Sequence, residues 1–476
     1  LIFLKILPAL LLFHTTIGWT AAISLTANDS SFTTSFNTGI NWSGGVAPTK
    51  GNTYFTAGHN LQTPVLNDNS SSNHIFAGDS LTINGGYLAW KSYGRVTIPS
   101  LIIDGGTIAN WRGNAIGRIY GAIAINTGKT LTISSDEPDP RSFQIYSDIS
   151  GTGAISIRMN QTNTLKQTYF YGNNTNFTGQ IELRGRGSFG VVNESGLGAN
   201  PTSYIANQLS FNGATLVITN NLTLTAPNRG ITFNNTYDAV NNIFPGGIID
   251  VSNACVATIA CVINGSGALT KRGSGVLILA TNNTYSGATI ISTGIVRLAC
   301  NNGIFYQGIG QTSIVQIATG AVLDLGGYSQ KFSTLSGNGT VSNGFLRANL
   351  FPGGTNGIGA LALGPSLTVL DGIYFAEIDT NGISDQIIFN GDLDLSTLSL
   401  RITNPTALNA TNEYCLVSCS GYLTGYFATH NLPAGWKVAY VSSGSGSSVK
   451  LVASNSSSLV FTNETGKLAY IADKNG

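Results

Sequence analysis

Short apolar alternations closed by glycine, asparagine or aspartate recur along most of this chain, and two of them repeat at a fixed offset. "LTINGGYLAW" (Leu81 to Trp90) and "LIIDGGTIANW" (Leu101 to Trp111) pair Leu81 with Leu101, Ile83 with Ile103 and Asn84 with Asp104, and their Gly-Gly pairs coincide at an offset of 20 residues. Alternation at period two makes a strand with one buried side. A strand that returns about every 20 residues suits one coil of a parallel β-solenoid, because a coil cannot bury its apolar side until the next one stacks on it. The same pattern recurs in "TLTIS", "LSFNG", "TLVIT", "NLTLT", "VLDLGG" and "DLDLS". No amphipathic helix of useful length interrupts it, so the expected class is all-β.

Composition limits what such a rod can do. Charged residues are 9% of the 476, against roughly 25% in ordinary soluble proteins, and there are 59 glycines. Leu1 to Ala22 reads as a secretory signal, with Lys5 ahead of a short apolar run and small residues at Thr20 and Ala22. Its removal turns 23 basic residues against 22 acidic into 22 against 22. A neutral chain without Lys/Arg clusters excludes nucleic acid and acidic lipid as electrostatic partners. No later stretch is long and apolar enough to span a bilayer as a helix. The five cysteines (Cys255, Cys261, Cys300, Cys415, Cys419) show no metal-type spacing. On one strand, Cys415 and Cys419 would lie about 13 Å apart, too far to bridge, so buried free thiols are expected.

A longer echo links "ISGTGAIS" and "FYGNNTNFTGQIEL" (Phe170 to Leu183) with "INGSGALT" and "LATNNTYSGATII" (Leu279 to Ile291). In "GSGALTKRGSGVLIL", Leu269, Leu277 and Leu279 should point inward, with Lys271 and Arg272 near an exposed bend. Asn-Asn-Thr-Tyr-Ser-Gly forms a second corner, where Tyr285 packs and stacked Asn side chains could make ladders.

These residues resemble the autotransporter-associated β-strand repeat family, also called passenger-associated transport repeats. The unit is Gly-x-Gly-x-Leu-x-Lys, Gly-x-x-x-Leu-x-Leu, then Asn-Asn-x-Tyr-x-Gly and an apolar strand, here Gly265 through Leu298. "INWSGGVAPTKGNTYF" is similar to the usual opening of such chains, and Val315 to Asn343, Gly353 to Leu395 and Leu432 to Val441 are similar to their closing segments. The resemblance implies a secreted, right-handed β-helical surface protein of bacteria, seldom an enzyme. No translocator barrel follows "KLAYIADKNG" in this sequence, and no Pro-Glu-Pro sorting tail is present, so export and anchoring are expected from other proteins or from further sequence.

Candidate chemistry is sparse. "GRGSFG" (Gly185 to Gly190) matches a dinucleotide fingerprint, but "VVNESGLGANP" after it is no helix, so a solenoid turn is the better reading. His59, His74 and His430 lie far apart in sequence and predict no metal or triad. Glu377 and Asp379 in "FAEIDTNGISD", two apart on one expected strand and followed by Asp385, are the paired carboxylates that a β-helical glycoside hydrolase or lyase would need. "DEPDP" (Asp136 to Pro140) reads as a solvated bend rather than a calcium loop. Asn-x-Ser/Thr sequons such as that at Asn41 follow from composition, and Trp90 and Trp111 are offered as corner packing or as sugar-stacking surfaces.

The expected architecture is an elongated right-handed parallel β-helix over residues 23–365 behind a signal at 1–22, a β-rich closing region at 366–452 and a tail at 453–476. Roughly 20 coils would make a rod near 100 Å. The expected function is a non-enzymatic, adhesin-like surface protein with no cofactor, metal or catalytic residue, whose partners are extracellular polysaccharide or other matrix components. The alternatives are a carbohydrate-active β-helix enzyme and a glycan-binding surface protein.

Overall fold

The computed structural model describes residues 21–455, apart from positions 32, 65–72, 93, 111–115, 135–141, 160–166, 239–244, 302, 305–312, 355–356 and 442–445. The signal segment and the tail therefore fall almost wholly outside the described residues, as do Trp111 and the "DEPDP" bend.

The alternation becomes three parallel faces wound one after another. A representative coil runs along the first face at Asp148–Gly151, the second at Ala154–Met159 and the third at Gln167–Phe170, then returns to the first at Asn176–Phe177. Each strand pairs in parallel with its counterparts in the coils before and after it, as Ile155 does with Leu131 and Ile181. The sheet on the second face has nine strands, from Leu61–Gln62 to Ile263–Gly265. Among the described residues the only helical elements are three short 3-10 turns, Gly39–Asn41, Glu194–Leu197 and Pro405–Ala407.

Side chains at matching positions form inward columns. Leu81, Leu101, Ile123 and Ile149 are successive partners on the first face. Ile155, Ile181, Leu209, Ile231 and Ile263 do the same on the second. All nine are at most 1% exposed, so each stabilises the stack by roughly 1.5–3 kcal/mol. The 20-residue offset between Leu81 and Leu101 is one coil, as the sequence indicates.

Coil length varies, however, from 18 residues (Leu323 to Val341) to 35 (Leu222 to Ala257). Extra residues at the corners are tolerated because they lie outside the prism. About sixteen coils are stacked rather than 20, and at ~4.8 Å each they make a rod of about 75–80 Å.

Glycine is required where coils press together at a corner. A Cβ on Gly179 would sit 1.6 Å from the Gly153 carbonyl oxygen, and one on Gly287 would sit 2.2 Å from that of Gly267. These are equivalent positions in the two long echoes.

The parallel ladder ends at a hairpin. Strands Trp436–Val441 and Ser447–Ala453 pair antiparallel, and the second also pairs antiparallel with Tyr414–Cys419. This pairing covers a strand edge that would otherwise template another chain.

A polar groove on the second face and the passenger repeat

Outward positions of the second face carry small polar groups in register. Thr107, Thr132, Ser156, Glu182, Ser210, Thr232 and Asn264 are successive partners across the coils. One position-pair further along the strands, Arg158 lies directly opposite Arg184. On the other side, Gln180 Nε2 donates to Asn207 Oδ1 at 3.0 Å. Together these residues line an open groove of about 540 Å³ that crosses five coils, from Thr130 to Asn234.

Glu182 sits in the middle of the groove and is well tethered. It is ion-paired to Arg184 at 2.6 Å, accepts from Asn212 Nδ2 at 2.8 Å, and accepts from Ser156 Oγ at 3.4 Å. Further along, the Thr232 hydroxyl bonds Asn264 Oδ1 at 2.7 Å. The floor is a continuous strip of hydroxyl and amide groups, and two arginines stand on one wall.

The residues that sequence reasoning offered as catalytic go elsewhere. Glu377 and Asp379 do not share a strand: the strand Leu367–Ala376 ends before them, and Ile378 bridges antiparallel to Ser384. Asp379 instead closes that turn, with its Oδ1 accepting from the amides of Asn381 (2.9 Å) and Ile383 (2.7 Å). These hydrogen bonds, led by that from Ile383, hold its carboxyl below the usual range. Asp385 is 1% exposed and accepts from the Gly359 and Glu377 amides at 2.8 and 2.9 Å. Burial pushes its pKa up to about 7.

"GRGSFG" is the corner between strands Ile181–Gly185 and Ser188–Val191, and a strand rather than a helix runs through Gly190. His74 and His430 lie on separate strands and His59 in a turn. Among the described residues no three His, Cys, Asp or Glu side chains gather into a potential metal site. The five cysteines are free, and burial raises the Cys261 thiol to about 12.

Trp90 is fully buried, edge-on to Phe143 with centroids 5.8 Å apart, and offers no sugar platform. The exposed aromatic feature is a ladder that the sequence reading missed. Tyr120, Tyr146 and Tyr171 stack at 4.6 and 4.5 Å, with the Arg95 guanidinium 4.1 Å from the Tyr120 centroid.

The repeat itself holds the most informative corner. Asn174 and Asn283, equivalent in the two echoes, are at most 1% exposed. Asn283 Oδ1 accepts from the Ile263 amide (2.8 Å), while its Nδ2 donates to the Gly303 carbonyl (2.7 Å). Asn174 likewise joins the Ile149 amide to the Gly196 carbonyl, both at 2.8 Å. Each asparagine thus clips the coil before it to the coil after it through the main chain, so the ladder expected between Asn side chains is replaced by side chain-to-backbone bonds. Tyr285 is buried beside this clip, its hydroxyl 2.7 Å from that of Thr289.

Lys271 departs from expectation most. It stands in the inward column between Ile249 and Ile291, with 0% exposure, rather than on an exposed bend. Its ammonium reaches the corner and donates to the carbonyls of Arg272 and Gly273, both at 2.6 Å, and of Thr293 in the next coil at 3.3 Å. A lysine fits here because the turn directs three unpaired carbonyls at one point.

Residues 269–298, which contain Lys271, Asn283 and Tyr285, match the passenger-associated-transport-repeat family. The chain is an autotransporter passenger-type repeat protein. It is 30% identical over 251 residues to the Adhesin BmaC autotransporter of Brucella suis biovar 1 (strain 1330), an alignment covering 49% of this chain and 7% of that protein. It is also 30% identical over 183 residues to the Extracellular serine protease of Serratia marcescens, covering 36% of this chain and 15% of that protein. The chain therefore spans a small part of the length of these curated relatives. Passenger-type proteins of this kind are secreted or displayed at the cell surface, and no helix among the described residues is long and apolar enough to cross a membrane.

Proposed function

We propose that this passenger-type protein is a non-enzymatic adhesive rod, which presents long lateral faces to extracellular polysaccharide or other matrix material. The reading takes residues 23–365 as the passenger-like β-helix and 366–452 as its closing region, and gives the barrel for export to another polypeptide or to another part of a longer one. The observation that carries it is the unbroken three-sided stack, matched over nearly half the chain to an adhesin. Support also comes from the candidate catalytic carboxylates: Asp379 and Asp385 are committed to main-chain amides, so they are turn and corner fasteners. The relation to a serine protease makes proteolysis the competing reading.

The test is to coat beads with the purified protein and score attachment to cells and matrix, with parallel assays for cleavage of casein and a polysaccharide panel. The adhesive reading expects saturable attachment and no turnover. Turnover of any substrate would overturn the non-enzymatic part.

A further inference from the structure

We propose that the groove on the second face is a binding site for an acidic polysaccharide, laid along the rod with its sugar rings over the hydroxyl strip and its carboxylate or sulfate groups against Arg158 and Arg184. This rests on the adhesive reading and gives it a location and a ligand class.

Shape is the first argument. The groove crosses five coils, about 19 Å at the strand spacing, and presents one hydroxyl or amide group per coil in the row Thr132, Ser156, Glu182, Ser210 and Thr232. A pyranose ring is about as long as one coil is high, so four or five rings fit end to end, each beside a polar group. Such a strip exchanges hydrogen bonds with sugar hydroxyls but gives an apolar peptide nothing to bury.

Charge is the second argument. Arg158 and Arg184 are direct cross-strand neighbours, and like charges in that relation are unfavourable. Glu182 neutralises one of them through its 2.6 Å contact with Arg184, which leaves an excess of one positive charge on the wall. A chain with only 9% charged residues has few opportunities for such a pairing. An anion bridging the two guanidinium groups turns the repulsion into two charge-assisted contacts. Glu182 also favours a ligand whose charges are spaced along it, because it meets uncharged hydroxyls between them.

The experiment uses the full chain and three hexasaccharide probes in titration calorimetry: oligogalacturonate, a heparin fragment and neutral cellohexaose. The expected result is binding of one or both acidic probes, weakened by added salt, with at least tenfold lower affinity for cellohexaose. Arg158→Gln/Arg184→Gln should lose at least tenfold in affinity. Ser210→Tyr, which puts bulk onto the strip from a partly exposed position, should lose a similar amount. Arg347→Gln, on an arginine paired with Asp371 on another face, should change nothing, and circular dichroism of each variant checks the fold.

Equal binding by wild type and both groove variants, preference for the neutral probe, or no binding by any probe would overturn the proposal. Bead attachment separates the two readings. Attachment that survives in the groove variants sinks the groove and leaves the adhesive rod, whereas glycan binding without attachment does the reverse.

Discussion

Replacing Lys271 with methionine tests how the passenger repeat is held together. In the structure the side chain is fully buried in a column of isoleucines, and its ammonium serves three carbonyls, one of them in the following coil. Methionine keeps the apolar stem and removes every donor. Hydrogen bonds to a charged group contribute about 1.5–3 kcal/mol each, and the burial of the ammonium offsets part of that, so the expected loss is about 2–4 kcal/mol. A lysine on an exposed bend would cost at most about 0.5 kcal/mol.

The pH dependence sharpens the test. Burial lowers the Lys271 pKa from 10.5 to about 8, opposed by nearby Asp250. Between about pH 8 and 10.5 the unfolded chain therefore holds more protons at this site than the folded one, so the folded state gains stability as pH rises through that window. Below pH 8 the lysine is charged in both states and contributes no slope. Since methionine does not titrate, the stability gap between wild type and Lys271→Met should widen from pH 8 to pH 10. Urea unfolding followed by circular dichroism measures the gap, and hydrogen exchange at the Ser292 amide, which bonds the Lys271 carbonyl, reports the same corner locally. A loss under 0.5 kcal/mol, or a gap that narrows as pH rises, would refute the buried clamp.

Further expectations follow from other contacts. Gly287→Ala should cost at least about 3 kcal/mol, because its Cβ would meet the Gly267 backbone, whereas Gly320→Ala, where no atom lies within 4 Å, should cost only the strain of its positive φ, and a thermal melt ranks the two. Arg229 is 1% exposed and donates to the carbonyls of Leu197 and Gly198 at 2.7 and 2.9 Å beside Glu194, so Arg229→Met should destabilise by about 3–5 kcal/mol and speed proteolysis near the 3-10 turn Glu194–Leu197. Asp385, with its folded pKa raised from 3.8 to about 7 by burial, binds its proton more tightly when folded. Its contribution is present below about pH 4 and lost as pH rises to 7, so Asp385→Asn should gain on wild type across that window in urea titrations.

The inward face was readable in the sequence because period two is local: Leu269, Leu277 and Leu279 are all fully buried. The fold class and the 20-residue coil at Leu81 followed from the same signal. What the pattern could not supply was side-chain identity against the rule. Lys271 occupies an inward slot that alternation assigns to a hydrophobe, and the carbonyls that satisfy it belong to a corner whose geometry no strand pattern encodes.

Asp379 misled for the opposite reason. Its two-residue spacing from Glu377 reads as a strand, but "DTNG" offers an aspartate to the following amides and turns the chain first. The groove had a visible signal in the polar outward positions of "TLTIS", "AISIR", "IELRG" and "LSFN". Their alignment stayed hidden, because successive row members lie 24, 26, 28 and 22 residues apart from Thr132 to Thr232. Variable corners set those offsets, and only the paired strands reveal which outward residues meet.

Small-angle X-ray scattering on the purified chain tests the stack most directly. About sixteen coils predict a rod with a described length of about 75–80 Å, which gives a skewed distance distribution and a linear cross-section Guinier region. A symmetric distribution typical of a compact 49.7 kDa globule would contradict the three-sided stack, and with it the corners, clamp and groove derived from it.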